Sequence, residues 1–208
     1  MIGTFNQTVK ASTNFGGALV VFEGHPELLI GGFNFNLDNL PAAGEVLPCG
    51  TPVYCDESAR TITPVITAKV LAISGTTVTI EDHGFGSVPF KVGATVAELP
   101  ADLSSAAENY ATIASKEGNV LTLSAAVTGL AVGDVLAEVD ATSKKVKAVP
   151  NALLPYDVVR DPYAISVDGD GMIGNDRPVL ERRMPAINDA IKAAIQANGH
   201  KITFSNRK

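Results

Sequence analysis

Gly44-Glu45-Val46-Leu47-Pro48-Cys49-Gly50-Thr51-Pro52-Val53-Tyr54-Cys55-Asp56-Glu57-Ser58-Ala59-Arg60-Thr61-Ile62-Thr63-Pro64-Val65 is the stretch on which the reading of the fold turns. Gly and Pro interrupt it twice before Val53, so the chain turns tightly and then begins a short strand. Asp56 to Ala59 is a polar turn, and Thr61, Ile62 and Val65 form the return strand. The expectation is a hairpin with a hard stop at each end. The residues just after it and those much later in the chain differ in texture, and that discontinuity sets the organisation of the chain.

Working outward, the residues after Val65 repeat. Val70 to Ile80, with Gly75 between apolar runs, resembles Ile113 to Leu123, with Gly118 in the same place. Val92-Gly93-Ala94-Thr95-Val96-Ala97-Glu98-Leu99 matches Val132-Gly133-Asp134-Val135-Leu136-Ala137-Glu138-Val139 at four of eight positions, at a spacing of 40. Each copy reads as a hairpin plus a third strand, too small to bury its apolar face alone, so the two copies are expected to cover each other. The expectation is an inserted β-subdomain over 69–147, with Asp102 as a candidate cap on a short helical turn in Pro100 to Tyr110.

Before the hairpin, Met1 to Asn14 is polar and reads as an extended arm, Ala18 to Phe22 as a strand, and Phe33, Phe35 and Leu37 alternate with Asn34, Asn36 and Asp38 as a strand with one wet face. Beyond Pro150 the first texture resumes. Ala152 to Val158 and Tyr163 to Val167 read as short strands, Asp168-Gly169-Asp170-Gly171 starts a tight turn, and Arg177 to Leu180 returns from it. From Pro185 the period is helical, with Ile187, Ala190, Ile191, Ala194 and Ile195 on one stripe. Pro185 suits the first helical position and Gly199 the residue past the end, which gives a helix over 185–198. Lys201 to Phe204 closes as a strand.

The 208 residues are 46% hydrophobic and 18% charged, ample for a buried core, with Gly 19 and Pro 12 favouring β structure with frequent turns. The longest apolar runs fall far short of a membrane span, and the N-terminus lacks the basic-then-apolar pattern of a secretory signal. The net charge is −6, and no basic, aromatic-laced surface speaks for nucleic acid. The cluster Lys144, Lys145 and Lys147 reads as a solvated strand edge. Cys49 and Cys55 read as free buried thiols, because six residues of straight strand would hold them about 20 Å apart.

Candidate chemistry is sparse. Asp168, Asp170 and Asp176 surround a Gly-rich loop and suggest calcium, yet Met172 and Ile173 sit where a ligand and the required Gly of an EF-hand belong, and Val179 where its closing Glu belongs. His25, His83 and His200 are far apart in sequence. No Gly-x-Ser-x-Gly elbow, His-Glu-x-x-His or phosphate-binding loop is present, so the chain reads as non-enzymatic, with no cofactor and no metal.

Joined across the insert, Val46 to Val53, Leu153 to Val158, the hairpin ending Pro178-Val179-Leu180-Glu181-Arg182, and the Pro-initiated Ala/Ile helix before Ile202-Thr203-Phe204 resemble head decoration and head-fibre proteins of tailed bacteriophages. The resemblance covers 44–68 and 148–208 and rests on Gly50, Thr51, Val53, Pro185, Ile187, Ile191 and Ile195. It implies a mainly β fold: a small β-barrel-like decoration domain with one C-terminal helix, interrupted by the duplicated insert. It also implies a non-enzymatic protein of the virion, made in a bacterial cytoplasm, that binds the major capsid protein from outside as a homotrimer. Residues 1–43 then supply an arm and leading strands, with Phe5, Val9 and Phe15 on the shell-binding arm, ordered by strand addition. A glycan- or host-surface-binding β module, with the site on the insert, is the alternative; it calls for an aromatic platform, and the insert offers only Phe85, Phe90 and Tyr110.

Overall fold

A computed structural model describes residues 21–29, 32–85, 88–197 and 199–206. The arm residues Phe5, Val9 and Phe15 lie outside these, as does most of the strand expected over Ala18 to Phe22. Among the described residues the fold is mainly β, with one α-helix. The leading segment supplies β1 (Pro26–Leu28), β2 (Phe33–Phe35) and β3 (Val46–Leu47). Phe33 and Phe35 are buried and Asn34 is exposed, as alternation requires, but the strand stops before Leu37, where Asn36 caps a 3-10 turn by accepting from the Asp38 N–H. The hairpin forms, but without the hard stop expected at its far end: β4 (Pro52–Asp56) pairs antiparallel with β5 (Thr61–Pro64), Cys55 opposite Ile62, and only Val65 and Ile66 separate β5 from the next strand. Asp56 Oδ1 accepts from the N–H groups of Ser58 and Ala59 and so fixes the turn.

β5 runs on through Val65 and Ile66 into the insert, which holds β6 (Thr67–Ser74), β7 (Thr77–Ile80), β8 (Thr95–Glu98), β9 (Tyr110–Glu117), β10 (Val120–Leu123) and β11 (Val135–Val139). These six strands close into a barrel in the order β10-β7-β6-β11-β8-β9. The duplication is visible in the registers. Each copy keeps its own hairpin, β6 with β7 and β9 with β10, but gives its third strand to the other copy: β11 pairs with β6 and β8 with β9. The pairing Val135 with Lys69 has its counterpart in Thr95 with Thr112, and the ladder irregularity at Leu71 has its counterpart at Ala114. The exchange follows from size, since three short strands have an apolar face but no second layer to bury it. Val70, Val78, Ile80, Ile113, Leu121, Leu123 and Leu136 fill the interior.

After the barrel come β12 (Ala152–Leu153), β13 (Val158–Val159), β14 (Asp168–Gly169), β15 (Met172–Asn175) and β16 (Val179–Leu180); β12, β14 and β15 join the outer sheet, whereas β13 pairs with β3 in a two-stranded sheet of its own and β16 lies outside the outer sheet. Seven strands line up as β1-β15-β12-β4-β5-β2-β14. β14 is antiparallel to β2 and β15 to β12, and following the pairings across the sheet shows β14 and β15 pointing the same way. Only Asp170 and Gly171 separate them. They are therefore two halves of one kinked strand whose halves pair on opposite flanks, and the sheet curls on itself. The tight turn expected at Asp168 to Gly171 is corrected accordingly. A Cβ on Gly169 would run into the Phe35 ring, and one on Gly171 would lie 2.5 Å from Cys55 Sγ, so glycine lets this strand press against the core.

The helix is shorter than its periodicity suggests. It spans α1 (Asp189–Gln196), because Asn188 is its cap and accepts from the Ile191 N–H at 3.0 Å. Pro185 is buried ahead of it, outside any helix or strand, and Ile187 is half-buried ahead of the first turn. Ile191 and Ile195 are fully buried, each worth about 1.5–3 kcal/mol of burial. They pack with Val21, Val65, Leu153, Met172 and Met184. Gly199 follows the helix at φ 74 and donates to the Gln196 carbonyl. The strand expected at Lys201 to Phe204 is instead β17 (Phe204–Ser205), parallel to β16, so Arg177 to Leu180 does not close a hairpin.

Candidate functional site

Gly50 and Thr51 build the turn ahead of β4. Gly50 has φ 81, and a Cβ there would meet Met184 Cβ at 2.5 Å; buried Thr51 donates its hydroxyl to the Pro48 carbonyl at 2.6 Å. This turn, with Val53 fully buried behind it, delivers Cys49 to the seam between barrel and outer sheet. There Cys49, His83 and Asp157 line a crevice of about 10 Å³ with Val21, Pro48, Phe85 and Arg183. By residue type this is the set from which a cysteine nucleophile is built. The geometry serves another purpose. The Cys49 N–H donates to Asp157 Oδ1 at 2.7 Å, and the thiol donates to the Pro155 carbonyl at 3.2 Å. Burial, and then the Asp157 carboxylate, push the Cys49 thiol up to about 12, so almost no thiolate exists at neutral pH.

His83 adopts φ 52, and its Nε2 is buried with no hydrogen-bond partner among the described residues. Burial lowers its pKa against the opposing pull of Glu81, Asp82 and Asp157, and burial raises that of Asp157. The crevice holds no more than one water and stabilises neutral groups, which makes it a packed seam. Cys55 is likewise a free thiol, pushed up to about 12 by burial, then by Asp170 and Glu57.

The three aspartates of the calcium reading are engaged separately. Asp168 lies in β14 opposite Asn34, Asp170 accepts from the Tyr156 hydroxyl at 2.9 Å, and Asp176 accepts from the His25 N–H at 2.6 Å. Burial, followed by that bond to Asp170, raises the Tyr156 pKa. No group of three or more His, Cys, Asp or Glu side chains among the described residues is arranged to hold a metal ion. Among the described residues, no helix is long and apolar enough to cross a membrane.

The insert's aromatics do not form a platform. Phe90 is fully buried, and Tyr110, half exposed, has Lys144 Nζ over its ring at 4.1 Å. The lysine cluster read as a strand edge is a turn over Asp140 to Lys144, with Lys147 reaching buried Glu138 at 2.7 Å. Asp102 does organise a turn, accepting from Ser104 and Ser105, which lowers its pKa to about 2.

Two features escape a reading of the sequence. Tyr163 to Val167, expected as a strand, is a projecting loop: Asp161 Oδ1 accepts the Tyr163 N–H at 2.8 Å, and Tyr163 and Ile165 are 92% and 96% exposed. The signal for it is Asp161-Pro162, a turn-opening pair. The second is a cleft of about 190 Å³ lined by Glu23, Arg177, Pro178, Leu180 and Ser205. No protein-family model, curated protein or solved structure matches the chain.

Proposed function

We propose that this chain is a non-enzymatic structural protein of a tailed-phage virion, bound to the capsid exterior as a decoration or head-fibre protein. In this reading the outer residues are a barrel-like decoration domain that associates as a homotrimer on the major capsid protein, and residues 1–15 are the arm that joins the shell. The observation that supports it most is the way the insert is mounted. The barrel enters and leaves beside itself, Thr67 facing Ala137, and is clamped to its base by side chains. Lys116 Nζ of β9 reaches Glu45 Oε1 at 2.5 Å and the carbonyls of Val88 and Phe90. Lys91 Nζ donates to the Asp38 carbonyl at 2.6 Å, and Asn188 Nδ2 to that of Pro100 at 2.9 Å. A module fixed in orientation on a base suits a protein that projects a feature from a surface.

The test is co-sedimentation with emptied, expanded capsids from the source phage, with a chain lacking Met1 to Phe15 alongside. Saturation at a fixed ratio per capsid subunit, lost on truncation, is the expected result. Absence of binding to intact shells overturns the reading and turns the search to glycans on the insert.

A further inference from the structure

We infer that the Tyr163–Ile165 loop of one copy docks into the Glu23/Arg177/Pro178/Leu180/Ser205 cleft of a second copy, in a head-to-tail contact. The inference rests on the assembly reading above for naming a second copy as the partner, and it is tested in solution, without shells.

Three observations carry it. The first is size: at about 190 Å³ the cleft lies below the roughly 300–1,000 Å³ of small-molecule sites and suits a single large side chain. The second is chemistry. Pro178 and Leu180 give the cleft apolar surface and Glu23 and Arg177 give it polar, charged side chains, which fits a tyrosine, an apolar ring with a polar tip. Tyr163 and Ile165 are the most exposed large apolar side chains among the described residues, and the others are no more than 64% exposed.

The third is position. The loop precedes β14 and the cleft residue Arg177 follows β15, so the two lie beyond opposite ends of the same kinked strand, Asp168 to Asn175. Tyr163 and Ile165 stand 92% and 96% exposed, so the loop does not occupy the cleft of its own chain. A contact between unlike patches is heterologous, and it closes into a ring when the rotation permits. Each contact removes only about 300 Å² from water on the loop side, well below the 1,200–2,000 Å² of a standard interface, so the assembly dissociates on dilution.

The experiment is sedimentation equilibrium on the full chain and on two variants at exposed positions, Tyr163→Asp on the loop and Pro178→Glu at the cleft, with circular dichroism to show that both are folded. The wild type is expected to self-associate with rising concentration, and each variant alone to keep the mass of one 21.6 kDa chain. Mixed together, the variants retain one intact cleft and one intact loop between them and are expected to form a pair that stops at two chains. A wild type that stays monomeric at its highest soluble concentration overturns the inference. So do variants that still self-associate, or a mixture that yields no pair. Shell binding by a monomeric wild type would overturn the contact while leaving the decoration reading standing.

Discussion

The barrel and the outer sheet are both built from short strands, yet their strands are brought together by opposite routes. In the barrel, two copies of one unit exchange third strands, and every inter-copy pairing has a symmetry counterpart. In the outer sheet no element repeats: the hairpin, the leading strands and the returning chain are brought together from both sides of the insertion, and a single kinked strand spans the two flanks. The difference teaches where to look for what is particular to this chain. In the barrel it lies where the symmetry breaks. Lys116 occupies the place that Ile73 holds in the first copy, and it is Lys116 that grips the outer domain through Glu45.

The largest expected effect tests the symmetry. Ile80 and Leu123 hold equivalent positions, 0% and 3% exposed, so Ile80→Ala and Leu123→Ala should each cost about 4 kcal/mol in equilibrium urea unfolding. A difference beyond about 2 kcal/mol would break the equivalence. Next comes the broken position. Glu45→Ala strands a lysine that is only 11% exposed and should cost about 3 kcal/mol, whereas adding Lys116→Ile, which restores the residue of the first copy, should recover most of the loss. If the double variant is no more stable than Glu45→Ala, the pair is not the clamp described.

In the outer sheet, Gly171→Ala should cost about 2 kcal/mol through its clash with Cys55 Sγ, and Cys55→Ala in the same chain should relieve part of it. Strictly additive losses would mean that the strand does not press on Cys55. The smallest effect sits at the seam. Because burial lowers the His83 pKa, the unfolded chain takes up a proton first. Stability is full above the ordinary value of 6.5 and declines as the pH falls below it. Asp157, with its pKa raised, acts with the opposite sign nearer the carboxylate range. His83→Asn, which tolerates a positive φ, should flatten the decline in thermal unfolding between pH 7 and 5. An unchanged pH profile would remove His83 as its source.

Local structure is legible in the sequence. The hairpin Pro52 to Pro64 is readable because its turn chemistry and apolar alternation coincide, and the duplication because Gly75 and Gly118 punctuate matching strands. Pairing between distant segments is not readable. The Asp-Gly repeat at 168–171 looks like a turn by composition, and only its period of two, glycine facing the core and aspartate outward, marks it as a strand. Asn188 does not stand out as the cap, because Pro185 offers an equally good start three residues earlier. Cys49, His83 and Asp157 are far apart in sequence and meet only because the barrel docks on the sheet.

The exchange of third strands also decides when the chain can fold as it leaves the ribosome. β6 finds a lasting partner in β11, so the first hairpin must wait until Val139 has been made. At about 5–20 residues per second this is an interval of several seconds. Throughout it Val70, Val78 and Ile80 stand open to water and to neighbouring nascent chains. The outer sheet waits longer, until Asn175 completes the strand that joins its flanks. The period of greatest vulnerability to aggregation therefore falls during synthesis, and a holding chaperone acting on residues 67–139 would protect the chain most.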